Sequence, residues 1–175
     1  MKEKTKGVCI ILSVLVIFGL SGCSVFAPSY EQLKEGQKAR TFLVETNKGT
    51  DYELTSKPKK PVLITFWATW CKACCKELPA LEKIYEEYDG QIDVLAINAS
   101  ENKEDVDKFI ESNQYQFTVC YDEKGEISEK YPGERLPYTI LIDTDGNIKT
   151  IFVGSLGEEK QYNAYRRVIN ELLER

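Results

Sequence analysis

Residues 70–75 read Trp-Cys-Lys-Ala-Cys-Cys, which puts three thiols within five positions. Two spacings compete. Cys71 and Cys74 form a Cys-x-x-Cys pair, the arrangement of dithiols that make and break a disulfide. Cys71 and Cys75 form a Cys-x-x-x-Cys pair, which suits a soft metal such as Cu(I) or zinc. The plain alternative to both is a structural bridge or a set of small buried apolar residues. A structural bridge gains little entropy from closing so short a loop, which favours exchange chemistry for the Cys71–Cys74 pair.

The chain contains no histidine. That removes imidazole bases, histidine metal ligands and Cys-x-x-Cys-His haem attachment. The 175 residues accommodate one domain with flanking segments, and 42% apolar residues suffice for a core. The formal net charge is −5. Three lysines and one glutamate in the first 22 residues contribute +2, leaving −7 on the remainder. An acidic domain of this kind argues against nucleic acid as a partner.

The thiols must be positioned by elements, and the chain begins with a segment that is not one of them. Met1–Lys6 is basic, and Gly7–Leu20 is an uncharged, mostly apolar run. The run has the length of a signal-peptide core and is short for a bilayer span of about 20 residues. It ends in Leu20-Ser21-Gly22-Cys23, which resembles a bacterial lipobox. The resemblance implies cleavage after residue 22 and lipidation of Cys23, holding the rest of the chain outside the cytoplasm on a membrane. An uncleaved anchor is the alternative. Residues 23–40 are polar and weakly patterned, and are expected to form a lipid-anchored tether to a domain spanning 41–175.

Within that domain, TFLVET and TDYEL flank Asn-Lys-Gly and predict a β-hairpin. Pro61–Ala68 is almost continuously apolar and β-branched, as in a central strand buried on both faces. Cys74, Leu78, Leu81, Tyr85 and Tyr88 form one stripe at helical spacing. IDVLAIN reads as a second buried strand and ENKEDVDKFIESN as an amphipathic helix. QFTVCYD reads as a short strand. YTILID and IKTIFV flank Thr-Asp-Gly-Asn, a hairpin signal. The terminal segment reads as a helix, with Tyr162, Tyr165, Val168, Ile169 and Leu172 on one side.

The segment FWATWCKACCKELP, residues 66–79, resembles the active site of thioredoxin-like proteins. It is most similar to the exported, membrane-tethered oxidoreductases of the TlpA and ResA kind. The resemblance covers the chain from about Gly36 and includes RLPYTILIDTDGNI, where Leu136–Pro137 takes the family's cis-proline position. It implies an α/β thioredoxin-like fold with a central mixed β-sheet flanked by helices, an N-terminal β-hairpin and an inserted helix–strand segment. It implies thiol–disulfide exchange without a dissociable cofactor or metal. The implied partners are disulfide-containing exported proteins and an upstream membrane thiol carrier. Cytochrome c maturation is a role of some relatives.

Cys71 is expected at the end of a strand and the start of a helix. Unpaired helical N–H groups and the positive end of the macrodipole favour thiolate there. Such a site lowers a thiol from about 8.5 into roughly the 3.5–7.5 range. Cys71 is therefore the expected nucleophile, and Cys74, one turn on and facing the core, the resolving thiol. Pro79 cannot donate to the carbonyl of Cys75, so the helix should kink there. Trp67 reads as core. By resemblance, Trp70 shields the active-site sulfur and borders the partner groove, with simple packing as its alternative. The Leu136 backbone, beside Pro137, offers an edge to an extended substrate. Glu77 matches the acidic residue of a family pattern and is expected to tune the thiols or handle protons; the alternative is a solvated glutamate near the helix start. Thr65 stands where cytosolic thioredoxins carry a buried Asp. Cys75 and Cys120 depart from the pattern and read as one partly exposed and one buried free thiol, or as a second redox pair.

Three other functions compete with exchange. A thiolate-based copper module would use Cys71 and Cys75. A peroxidase of the peroxiredoxin type shares the fold, but the TFWATW stretch before Cys71 lacks the proline of its active loop. An inactive binding lipoprotein would not require the thiol pair.

Overall fold

The computed structural model describes residues 31–133 and 135–174. Cys23 and the leader lie outside the described residues. The first elements are the expected hairpin, β1 (Phe42–Glu45) and β2 (Asp51–Leu54), paired antiparallel. Phe42 and Val44 point inward while Leu43 and Glu45 point out, the period of two that a half-buried strand requires.

The next strand is β3 (Val62–Trp67), buried along its whole length. It leads into α1 (Lys72–Glu87), β4 (Asp93–Ala99), α2 (Lys103–Asn113) and β5 (Thr118–Asp122). The short helix α3 (Glu126–Lys130) follows, then β6 (Tyr138–Ile142), β7 (Ile148–Val153) and α4 (Glu158–Leu173). The sheet order is β5-β4-β3-β6-β7. β3, β4 and β5 run parallel, joined by the helical crossovers that parallel pairing demands, while β6 and β7 are antiparallel. This is the mixed sheet flanked by helices that the sequence predicts.

Alternation along β3 divides the interior. Leu63 and Trp67 meet α1, α2 and α4 through Leu78, Leu81, Val106, Tyr165 and Ile169. Val62, Ile64 and Phe66 face the hairpin and α3 through Phe42, Val44, Leu54 and Ile127. Thr65 is the polar residue on the helical face of β3 and is 1% exposed. The hairpin also covers the outer edge of β5: Asn47 N–H donates to the Val119 carbonyl at 3.0 Å, and Asn47 Oδ1 accepts from Val119 N–H at 2.9 Å. An edge strand closed in this way offers little to a foreign strand.

Two features differ from the sequence expectations. The helix α3 lies in a stretch read as part of the insertion. Asp122 holds it, its carboxylate accepting from the backbone N–H groups of Ile127 at 3.0 Å and Ser128 at 2.7 Å. The second is the tether, which is docked from Leu33 onward. Gly36 N–H donates to the Ile148 carbonyl, Ile148 N–H to that of Gln37, and Ala39 N–H to that of Gly146, each at 2.8 Å. Leu33 is 5% exposed. The cause is an open edge beside the β6–β7 turn that these backbone groups fill. Gly146 in that turn has φ +79°, and a Cβ there would lie 2.1 Å from the Ser56 carbonyl oxygen. Only glycine meets both demands.

Candidate active site

Cys71 stands at the N-cap of α1, with extended backbone angles of φ −82° and ψ 98°. Its Sγ accepts from the Cys74 N–H at 3.1 Å, so a helix-terminal amide points at the sulfur as expected. Cys71 and Cys74 are joined in a disulfide, with Cα atoms 5.2 Å apart. This pairing selects the Cys-x-x-Cys frame. Cys75 stands outside the pair as a half-buried free thiol whose Sγ–H donates to the Thr69 carbonyl at 3.5 Å. Cys120 is a free thiol buried in β5, and burial pushes it well above the ordinary thiol range. The two free thiols thus lie on separate elements, one half-buried and one fully buried.

The two sulfurs of the bridge differ in access. Cys71 is 8% exposed and Cys74 1%. Trp70 beside them is 70% exposed, which overturns the simple-packing alternative, whereas Trp67 is fully buried. The Leu136–Pro137 peptide bond is cis, as the resemblance implies. Gly154 N–H donates to the Pro137 carbonyl at 2.9 Å and ties the β7–α4 loop to the proline. Pro79 lies inside α1, one turn beyond Cys75.

Glu77 is 1% exposed, which overturns the solvated alternative. It sits three residues beyond Cys74 on the inward face of α1. Its Oε1 accepts from the Tyr165 hydroxyl and, at 3.0 Å, from the Thr139 hydroxyl. Thr65 Oγ1 lies 3.0 Å from Thr139 Oγ1, extending the polar cluster under the site. Glu77 Oε2 is buried and has no hydrogen-bond partner. Burial pushes the Glu77 carboxyl up to about 7, against the donated bonds from Tyr165 and Thr139, which pull it down. Tyr165, fully buried against this carboxylate, is driven upward mainly by burial. The position that holds Thr65 carries no acid, and Glu77 brings a buried carboxyl to the same polar cluster from the helix side.

A second carboxylate holds the loop before Cys71. Glu101 accepts from Thr69 N–H at 2.7 Å, from Thr69 Oγ1–H at 2.5 Å and from Asn98 Nδ2–H at 2.7 Å. Sequence reasoning missed Glu101, Asn98, Thr139 and the hydroxyl of Tyr165. One signal was present: Asn98 is a polar residue inside an apolar strand, and it is 1% exposed. The arrangement provides an attackable sulfur, a resolving sulfur behind it and a buried acid that titrates near neutrality.

Residues 35–151 match the AhpC/TSA family. The chain is 30% identical to thiol-disulfide oxidoreductase ResA of Geobacillus thermodenitrificans, over 91% of this chain and 94% of that protein. It is 31% identical to thioredoxin-like protein YneN of Bacillus subtilis, over 91% of this chain and 95% of that one. Among solved structures, a protein assigned as thiol:disulfide interchange protein DsbE from Chlorobium tepidum superposes with a TM-score of 0.73 at 28% identity. It covers 81% of this chain and 99% of its own. With the thioredoxin-like fold and the Cys71–Cys74 bridge already in place, the chain belongs to the AhpC/TSA family and is a thiol–disulfide oxidoreductase.

Proposed function

We propose that this oxidoreductase acts outside the cytoplasm, tethered by a lipid on Cys23, and reduces disulfides in exported proteins. The observation that carries the reading is the asymmetric pair: Cys71 at a helix N-terminus, the more exposed residue of the two, and Cys74 more deeply buried one turn on. The leader sequence supports the location, since a basic start, a short apolar core and a small-residue cysteine box occur together.

The cycle starts from the reduced pair. The Cys71 thiolate attacks one sulfur of the substrate disulfide. That S–S bond breaks, and the other substrate sulfur leaves as a thiolate and takes up a proton. Cys74, once deprotonated, attacks Cys71 Sγ and releases the first substrate sulfur, which also takes up a proton. Two electrons pass to the substrate, and the protein is left with the Cys71–Cys74 bridge seen in the structure. Glu77 is the proton acceptor for Cys74, being the buried carboxyl one turn away on the same face. Trp70 and the Leu136–Pro137 loop form the partner groove. A reduced dithiol carrier in the membrane resets the bridge by the reverse exchange.

The test is a redox titration in defined thiol buffers, with thiol trapping and mass mapping. Cys71 and Cys74 are expected to titrate as one couple near about −270 mV, the value of a reductant. A couple near about −120 mV would make the protein an oxidant and sink the proposed direction. Cys74→Ser should accumulate a mixed disulfide on Cys71, while Cys71→Ser should abolish exchange. Cys75→Ser should change the rate by less than about twofold. Lipid labelling lost in Cys23→Ala tests the anchor; labelling that persists refutes it.

A further inference from the structure

The cis-proline loop has a second side. Beneath it, where the carboxyl ends of β3 and β4 meet the start of β6, lies a cavity of about 190 Å³. Phe66, Ser128, Tyr131, Pro132, Leu136 and Tyr138 line it. Three of these are aromatic, with Phe66 5.5 Å from the Tyr131 ring and 6.0 Å from the Tyr138 ring. Small-molecule sites start at about 300 Å³, whereas a cavity of about 150 Å³ with apolar walls takes one benzene ring. The space therefore suits a single side chain rather than a free metabolite.

Arg135 brings the one charge among the lining residues; the other polar side-chain groups there are hydroxyls, and those differ in their use. Tyr131 donates to the Arg40 carbonyl. The hydroxyls of Tyr138 and Ser128 are buried and have no hydrogen-bond partner, and Tyr138 is only 2% exposed. Leaving such a group unpaired is unfavourable, and a polar atom brought to it would supply the missing partner. Leu136 packs against both the disulfide-side core and the core on this face, so the cavity adjoins the groove already assigned to the partner.

We propose that this cavity is a specificity pocket for a tyrosine side chain of the disulfide-bearing partner. The ring stacks among the aromatic walls, and its hydroxyl bonds to Tyr138 or Ser128. A partner strand laid along Leu136 advances about 3.3 Å per residue, which makes the three positions on either side of the attacked cysteine the ones to test. This inference rests on the oxidoreductase reading and adds to it the sequence that the enzyme selects.

The experiment uses single-cysteine peptides coupled as mixed disulfides to a chromogenic thiol. Tyr, Phe, Leu or Ala is placed at each of three positions on either side of the cysteine. The pre-reduced chain is mixed with each peptide and the second-order rate constant is read. At one position tyrosine should exceed alanine about tenfold and phenylalanine about threefold. Ser128→Leu, which fills the cavity, should bring the tyrosine-to-alanine ratio near one. Tyr138→Phe should narrow the ratio of tyrosine to phenylalanine. Equal rates for all peptides with the wild-type chain, or leucine matching tyrosine at every position, overturn the pocket and leave the oxidoreductase reading intact. Failure to reduce any peptide overturns both.

Discussion

Two carboxylates flank the disulfide, and they are held in opposite ways. Glu101 sits beside the loop that leads into Cys71, with both oxygens engaged by an amide, a hydroxyl and a side-chain amide. Glu77 sits under Cys74 with one oxygen engaged by hydroxyls and the other bare. The difference separates two tasks. A carboxylate ringed by donors fixes geometry, because any movement breaks several charge-assisted bonds. A buried carboxyl with a bare oxygen and a midpoint near neutrality changes charge. The site thus has a strut on one side and a titrating group on the other.

The sharpest way to break that contrast is pH. The Glu77 carboxyl sits at about 7 in the folded chain, against an ordinary value of 4.5. The folded state therefore holds a proton that the unfolded state has lost, and stability falls as pH rises from about 4.5 through 7. The difference in midpoints corresponds to about 3 kcal/mol. Chemical denaturation at pH 4 and pH 8 should show wild type losing about that much relative to Glu77→Gln. Equal losses in the two proteins would show that Glu77 does not titrate there. The same variant should lose the inflection near pH 7 in its exchange rate.

The strut should behave differently. Glu101→Ala is expected to cost about 2 kcal/mol by stranding Asn98 and the Thr69 amide. Glu101→Gln should recover part of this, since one oxygen still accepts. No measurable loss in Glu101→Ala would show that its three accepted bonds do not hold the loop, and would undo the comparison. The smallest effect comes from Thr139→Val. Removing a donor to Glu77 should move the rate inflection upward, since the Thr139 bond pulls that carboxyl down. A downward movement would contradict the direction of that hydrogen bond.

These carboxylates also mark the boundary of what the sequence discloses. The strand Val62–Trp67, the helix after Cys71 and both hairpins follow from periodicity and turn residues, which are local. So does the cysteine frame once the flanking pattern is matched. Glu77 was undecided because its burial is set by Thr139 and Tyr165, which lie 62 and 88 residues away. Glu101 reaches Thr69 across 32 residues through its side chain, and no local spacing announces that. The docked segment from Leu33 to Ala39 escaped for another reason. Its contacts are largely backbone groups of Gly36, Gln37 and Ala39, and backbone bonds leave no mark in side-chain type. Five-residue α3 is too short to show a period, and the carboxylate that holds it, Asp122, sits on the preceding strand.

The Thr69 hook has a consequence for which molecules this enzyme can serve. The nucleophile is pinned upstream by Glu101 and downstream by the first turn of α1, and only 8% of Cys71 is exposed. It cannot reach out. A client must bring its sulfur in, on a stretch of chain loose enough to lie flat across the site.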